Sequence, residues 1–110
     1  MNKYESITCI VNKGYSDLVM EAARAAGAKG GTIINGRGSG NKEAESFFGV
    51  HVTPEKEIVL ILVLKSIRDK VLSAINEGAG MSTKGQGIAF SIPVEDTVGV
   101  EEPTFGDEAK

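Results

Sequence analysis

The chain has 110 residues, about 41% apolar and 25% charged, which suits one globular domain and leaves too little length for two. The net charge of −3 and the absence of Trp argue against a general nucleic-acid binder. A single Cys excludes an internal disulfide or a Cys-rich zinc site, the segment Met1–Ser6 lacks the apolar run of a signal peptide, and the longest apolar run, Ile58–Leu64, is too short to span a bilayer.

The first predicted strand is Ser6–Val11, whose β-branched content favours extended backbone. Ser16 is the expected cap of a first helix, with Asp17 in the first turn where the dipole favours an acid. Leu18, Val19, Ala22, Ala23 and Ala26 are expected on its buried stripe, and Gly27 suits the left-handed residue that ends it. Gly30 and Gly31 turn the chain into a short second strand, Thr32–Ile34, and a long polar stretch, Gly36 to Pro54, follows. Glu57–Leu64 is the strongest strand. Ser66 and Asp69 have capping-box spacing and are expected to open a second helix, with Ile67, Val71, Ala74 and Ile75 on its buried face and Gly78 at its end. A Gly-rich turn leads to the last strand, Ile88–Val94. Residues 94–110 hold six acids and one base, a charge of −5 that leaves +2 on the first 93 residues. This end reads as a loosely attached acidic extension, so the domain is expected over 1–95 and the tail over 96–110.

Strand, helix, strand, strand, helix, strand is the split βαβ order. It predicts an α+β, ferredoxin-like fold: a four-stranded antiparallel sheet, two helices on one face, and a long loop between strands 2 and 3. The first and third strands, the most apolar, belong at the centre. In the third strand Ile58, Leu60, Leu62 and Leu64 point one way and Val59, Ile61 and Val63 the other. A face in contact with water would alternate to polar residues. Leaving the second face wet would forfeit several kcal/mol at about 25 cal/mol per Å², so it is expected to pack against further copies of the chain. The alternative cover is the acidic tail folded back.

The stretch 36–54 is too long for an ordinary turn, and such loops are usually functional or disordered. It opens Gly36-Arg37-Gly38-Ser39-Gly40. Glycines let backbone N–H groups approach an anion, and Arg37 offers a fork of donors to phosphate or carboxylate. A plain flexible loop has the same composition. Further along, Phe47-Phe48 are two large apolar residues in polar surroundings; they either tuck onto the body or dock a partner. A second Gly-rich segment, Met81 to Gly87, holds Lys84, Gly85, Gln86 and Gly87. It could form a backbone nest with Lys84 as a point charge, or be a simple helix-to-strand connection. It is not a P-loop, because the Lys precedes the glycines and a strand follows. His51 is the single His and reads as a solvated loop residue, Cys9 lies in an apolar strand, and the acids of the first 93 residues show no metal-ligand clustering. Nothing makes a positive case for catalysis.

Together these segments resemble the P-II nitrogen-regulatory superfamily. The resemblance runs from about Ile7 to Glu95. It rests on Gly36-Arg37-Gly38 opening a long loop, on Pro54-Glu55-Lys56-Glu57-Ile58-Val59 returning from it, and on Gly85-Gln86-Gly87-Ile88-Ala89-Phe90 followed by Pro93-Val94-Glu95. Members are compact, non-enzymatic cytoplasmic homotrimers. They bind adenine nucleotides between subunits and grip target proteins with the long loop, the T-loop. The resemblance implies a non-covalent effector (ATP, ADP or AMP), a target protein engaged through residues 36–54, no nucleic-acid partner, and a membrane only through a membrane-bound target. By position, Gly36, Arg37 and Gly38 match the base of the T-loop, Gly85, Gln86 and Gly87 the phosphate-cradling loop, and Ile7 and Ile61 strand positions lining the adenine site.

The departures concern charge. The lysine that the family places after the second glycine of the phosphate loop is Ile88, and two tail arginines appear as Gly99 and Glu101. Lys84 could act from the other side of the nest. Each charge-assisted phosphate contact is worth roughly 1.5–3 kcal/mol, so losing three would weaken nucleotide binding by decades unless something compensates. The loop is also shortened and lacks the tyrosine of the classical members; Tyr4 and Tyr15 lie elsewhere. The alternatives are a trimeric scaffold that has lost the nucleotide, favoured by the missing cations; an acylphosphatase-like hydrolase, opposed by Asn12-Lys13-Gly14 having no Arg after strand one; and a cation-binding relative, opposed by the lack of a ligand set.

Overall fold

The structure, a computed structural model, describes residues 3–38, 45–47, 50–52, 54–81 and 87–100, with the backbone alone at 45–47 and 50–52. Strand β1 spans Tyr4–Asn12, helix α1 Ser16–Ala25 and β2 Thr32–Arg37. Short strands β3, Glu45–Phe47, and β4, Val50–Val52, follow within the long loop. Strand β5 runs Glu55–Leu64, a 3₁₀ turn Lys65–Ile67 leads into α2, Arg68–Gly78, and β6 is Gly87–Val94. The main sheet has the order β2-β5-β1-β6, with every described pairing antiparallel. This is the ferredoxin-like arrangement expected from the sequence, with β1 and β5 at the centre.

The core lies between the helices and one face of the sheet. Ile7, Cys9 and Val11 of β1 and Val59, Ile61 and Val63 of β5 are buried there. Val19, Met20 and Ala23 of α1 and Val71 and Ile75 of α2 close over them. The two helices meet closely at Gly78, where a Cβ would lie 2.8 Å from Ala22 Cβ. Helix α1 ends as its glycine predicts. Gly27 adopts φ 113°, and its N–H bonds the Arg24 carbonyl at 3.0 Å while that of Ala28 bonds Ala23 at 3.0 Å, the paired bonds of a Schellman motif.

Three local expectations are corrected. Ser16 is not the cap of α1: Tyr15 holds that position without a side-chain cap bond, and Ser16 is a buried first residue. The capping comes from across the sheet, where the Glu57 carboxylate accepts from the N–H of Gly14 at 2.9 Å and of Ser16 at 3.2 Å. Leu18 is not on the buried stripe but 42% exposed, with Met20 buried instead. Ser66 and Asp69 form no capping box, since α2 begins through the 3₁₀ turn and Asp69 accepts from Arg68 Nε at 2.9 Å. The strand content of the loop was also underread: β2 continues to Arg37, and β3 pairs with β4 through Glu45↔Val52 and Phe47↔Val50.

The helix-free face of the sheet is apolar. Three rungs cross it: Ile58–Ile10–Ile88, Leu60–Thr8–Phe90 and Leu62–Ser6–Ile92. The small Ser6 and Thr8 form a furrow between ridges of larger side chains. Leu62, Ile88, Phe90 and Ile92 are exposed, Ile88 at 58%.

Candidate functional site

The long loop leaves the sheet through two antiparallel edges held in register. Gly36 faces Lys56, Arg37 faces Glu55, and the Gly38 N–H reaches the Pro54 carbonyl at 3.3 Å. The pairing thus continues past β2 and closes the base of the loop. Arg37 is exposed at this base, where its guanidinium can reach a ligand or the loop itself. Gly36 and Gly38 carry no Cβ between the backbone and an approaching anion.

The returning strand is fastened to the β1–α1 turn. Lys13 Nζ pairs with Glu55 Oε2 at 3.1 Å, and the Lys13 N–H donates to the Glu55 carbonyl at 3.3 Å. Hydrogen bonds from the Ser16 side chain and the Gly14 backbone, together with nearby Lys13, lower the Glu57 pKa from its ordinary value of 4.5. Because the folded-state pKa is depressed, the stabilisation is complete above pH 4.5 and is lost as pH falls through the folded value. Glu57→Ala is therefore expected to cost about 1 kcal/mol at neutral pH, the worth of a helix cap. The gap between the urea midpoints of variant and parent should narrow as pH falls below 4.5; a gap that does not shrink with falling pH would contradict the role.

Lys56 was not singled out by sequence reasoning, because it sits in an alternation of Lys and Glu that reads as an ordinary charged strand start. In the structure it is buried on the helix-free face, with Nζ donating to Asn12 Oδ1 at 2.6 Å. Its Cγ lies 3.8 Å from where a Gly38 Cβ would stand. A cation therefore stands between the loop base and the end of β1. Gly87 opens β6 at the same end of the sheet, opposite Val11, with φ 146°. A Cβ there would overlap the Ile10 carbonyl oxygen and press on Val11 Cα and Cγ1 at 3.0 Å. Gly36 and Gly87 thus lie on opposite edges of one sheet end, three strand spacings or about 14 Å apart, with Lys56 and Asn12 between them.

A cleft of about 390 Å³ lies beside the β2 edge, lined by Ser6, Gly30, Gly31, Thr32, Leu60, Ile61 and Leu62. Gly31 keeps its floor close, since a Cβ would lie 2.9 Å from the Leu60 carbonyl oxygen and 2.9 Å from Met20 Sδ. Of the strand positions implied by the resemblance, both side chains are buried in the helix-side core, Ile7 at 0% and Ile61 at 1% exposed, and Ile61 alone of the two borders this cleft. Phe47 lies in β3; Phe48, Lys84, Gly85 and Gln86 lie outside the described residues. Cys9 is buried and its thiol is pushed up to about 11 by desolvation, which leaves it unreactive at neutral pH. Among the described residues no group of His, Cys, Asp or Glu could hold a metal, and no helix is long and apolar enough to cross a membrane.

The comparisons with known proteins agree with this architecture. The family model described as "Nitrogen regulatory protein P-II" matches residues 4–102. A crystal structure of Arabidopsis thaliana PII bound to citrate superposes with a TM-score of 0.69 at 28% sequence identity, covering 90% of this chain and 84% of that one. No curated protein matches the chain.

Proposed function

The chain belongs to the nitrogen regulatory protein P-II family, whose members are regulatory, non-enzymatic signalling proteins, and we propose that it acts as a homotrimer whose inter-subunit clefts take an adenine nucleotide. The observation that carries this reading is the join between an anion-ready loop base and a long loop. The Arg37 guanidinium, flanked by the side-chain-free Gly36 and Gly38, stands at the point where residues 39–53 leave the body. The cleft beside β2, with Leu60 and Leu62 next to Gly31 and Thr32, would receive a base, and Gly85, Gln86 and Gly87 would cradle phosphates, with Lys84 beside them. The helix-free sheet face supports the trimer, because its exposed Leu62, Ile88, Phe90 and Ile92 are apolar surface that a closed ring would bury. The loop, with Phe47 and Phe48, would engage or release a target protein in the cytoplasm. A ligand switches the loop only if it binds one loop state more tightly than the other.

Arg37 is the residue that joins ligand to loop in this account. Calorimetric titration with ATP, ADP and AMP, with and without Mg²⁺, is expected to show about one site per chain. Arg37→Ala should weaken ATP binding roughly tenfold, the worth of one charge-assisted contact, or leave affinity intact while abolishing nucleotide-dependent hydrogen-exchange protection of residues 39–53. Unchanged affinity with unchanged protection would remove Arg37 from this role. AMP binding as tightly as ATP would agree with the cations replaced at Ile88, Gly99 and Glu101. The Arabidopsis relative is a structure bound to citrate, which places organic carboxylates among the ligands worth titrating. No heat with any nucleotide would favour the scaffold reading, which the same replacements support.

A further inference from the structure

The strand register puts one carboxylate between two cations at the base of the long loop. Arg37 faces Glu55 across β2 and β5. The next rung, Gly38 with Pro54, carries a backbone hydrogen bond of 3.3 Å. Hydrogen-bonded and non-hydrogen-bonded pairs alternate along an antiparallel ladder. Arg37 and Glu55 are therefore the closer, non-hydrogen-bonded kind, with both side chains on one face. On the other side of β5, Asn12 faces Lys56, and the Lys13 N–H continues that ladder to the Glu55 carbonyl at 3.3 Å. Lys13, Glu55 and Arg37 thus form one row across the sheet end, with neighbouring backbones about 5 Å apart.

The carboxylate is held on one side of this row. Lys13 Nζ pairs with Glu55 Oε2 at 3.1 Å, and the two side chains are 67% and 61% exposed. Arg37 is exposed as well. Glu57, the next carboxylate on this face of β5, is occupied: it accepts from the Gly14 N–H at 2.9 Å and the Ser16 N–H at 3.2 Å. Glu55 is therefore the acid of β5 that Arg37 would meet, and Lys13 is the cation that competes for it.

We infer that Lys13 is a positioning residue for the loop base: by holding the Glu55 carboxylate, it keeps the Arg37 guanidinium open to an incoming anion. A guanidinium and a carboxylate match as a two-donor pair. Without Lys13, the nearest carboxylate to Arg37 is the chain's own Glu55, and a ligand must displace it. Lys13 acts through Glu55 and does not need to touch the ligand. Only the identity of the anion rests on the nucleotide reading.

The test is a cycle of Lys13→Ala, Glu55→Gln and the double variant, read in two ways on the full chain. In ligand-free protein, NMR is expected to show the Arg37 Nε–Hε proton exchanging with water roughly threefold more slowly in Lys13→Ala, the worth of one exposed pair. The parent rate should return in the double variant. Calorimetry with ATP is expected to show about threefold weaker binding in Lys13→Ala, and equal binding in Glu55→Gln and the double variant. Lys13→Arg keeps a cation beside Glu55 and should match the parent in both readings. If the parent binds no ATP, the nucleotide reading fails alone, and the exchange rates still decide whether Lys13 keeps Glu55 from Arg37. An Arg37 exchange rate unchanged in Lys13→Ala would overturn the role. So would an ATP affinity that falls equally with and without Glu55, which is the result of losing a positive charge at a distance.

Discussion

Gly87→Ala is expected to lower stability by about 2–5 kcal/mol, combining the cost of a side chain at positive φ with that of overpacking. Gly87 has φ 146°, and its missing Cβ leaves room for the Ile10 carbonyl and Val11 on the central strand. An alanine must push β6 away from β1 or abandon the backbone conformation that begins β6. Either response moves the end of the phosphate-loop candidate. A fall of roughly 10 °C or more in Tm follows from the usual conversion for a chain of this size. Gly99 is the matched control: it has φ 81° but nothing within 4 Å of its Cβ position, so Gly99→Ala should show only the backbone share, about 1 kcal/mol. Equal effects at the two positions in urea unfolding would show that packing against β1 does not constrain Gly87.

The second large effect is expected at Leu62. It stands on the middle ridge of the helix-free face, 38% exposed in the single chain. Leu62→Glu should therefore leave the fold intact, because the carboxylate can remain in water. In the proposed trimer the same group would be carried into each of three interfaces without a partner, and an unpaired buried charge costs several kcal/mol. Sedimentation should then report single chains of 11.6 kDa in place of a three-chain particle, with an unchanged circular dichroism spectrum. Leu18, on α1 and 42% exposed, is the control: Leu18→Glu should not alter the mass. A Leu62→Glu protein that keeps the parent's mass would place the self-association surface elsewhere.

Strand periodicity carried most of the fold. In β5, Val59, Ile61 and Val63 face the helices and Ile58, Leu60 and Leu62 the open side, which is the alternation read from the sequence. The central places of β1 and β5 followed from their apolar content. Helix starts were less legible, because the acceptor that caps α1 is Glu57, more than forty residues away, and nothing local to Ser16 signals it. Leu18 misled for a related reason. A helix stripe is broad in sequence, and only the register of α1 on the sheet decides that Met20 turns inward instead. The hairpin of β3 and β4 hid in a polar stretch without an apolar alternation long enough to stand out. At the candidate site, Gly36, Arg37 and Gly38 were visible as types in sequence, but Lys56 became visible only once Asn12 and Gly38 were brought beside it by strand register.

The most direct test of the account is native mass spectrometry of the full chain titrated with ATP, ADP and AMP. The account predicts a particle of three chains that takes up to three nucleotides, with Arg37→Ala reducing occupancy at fixed ligand concentration. A particle of any other size, or a trimer that takes none of the three nucleotides, would contradict it.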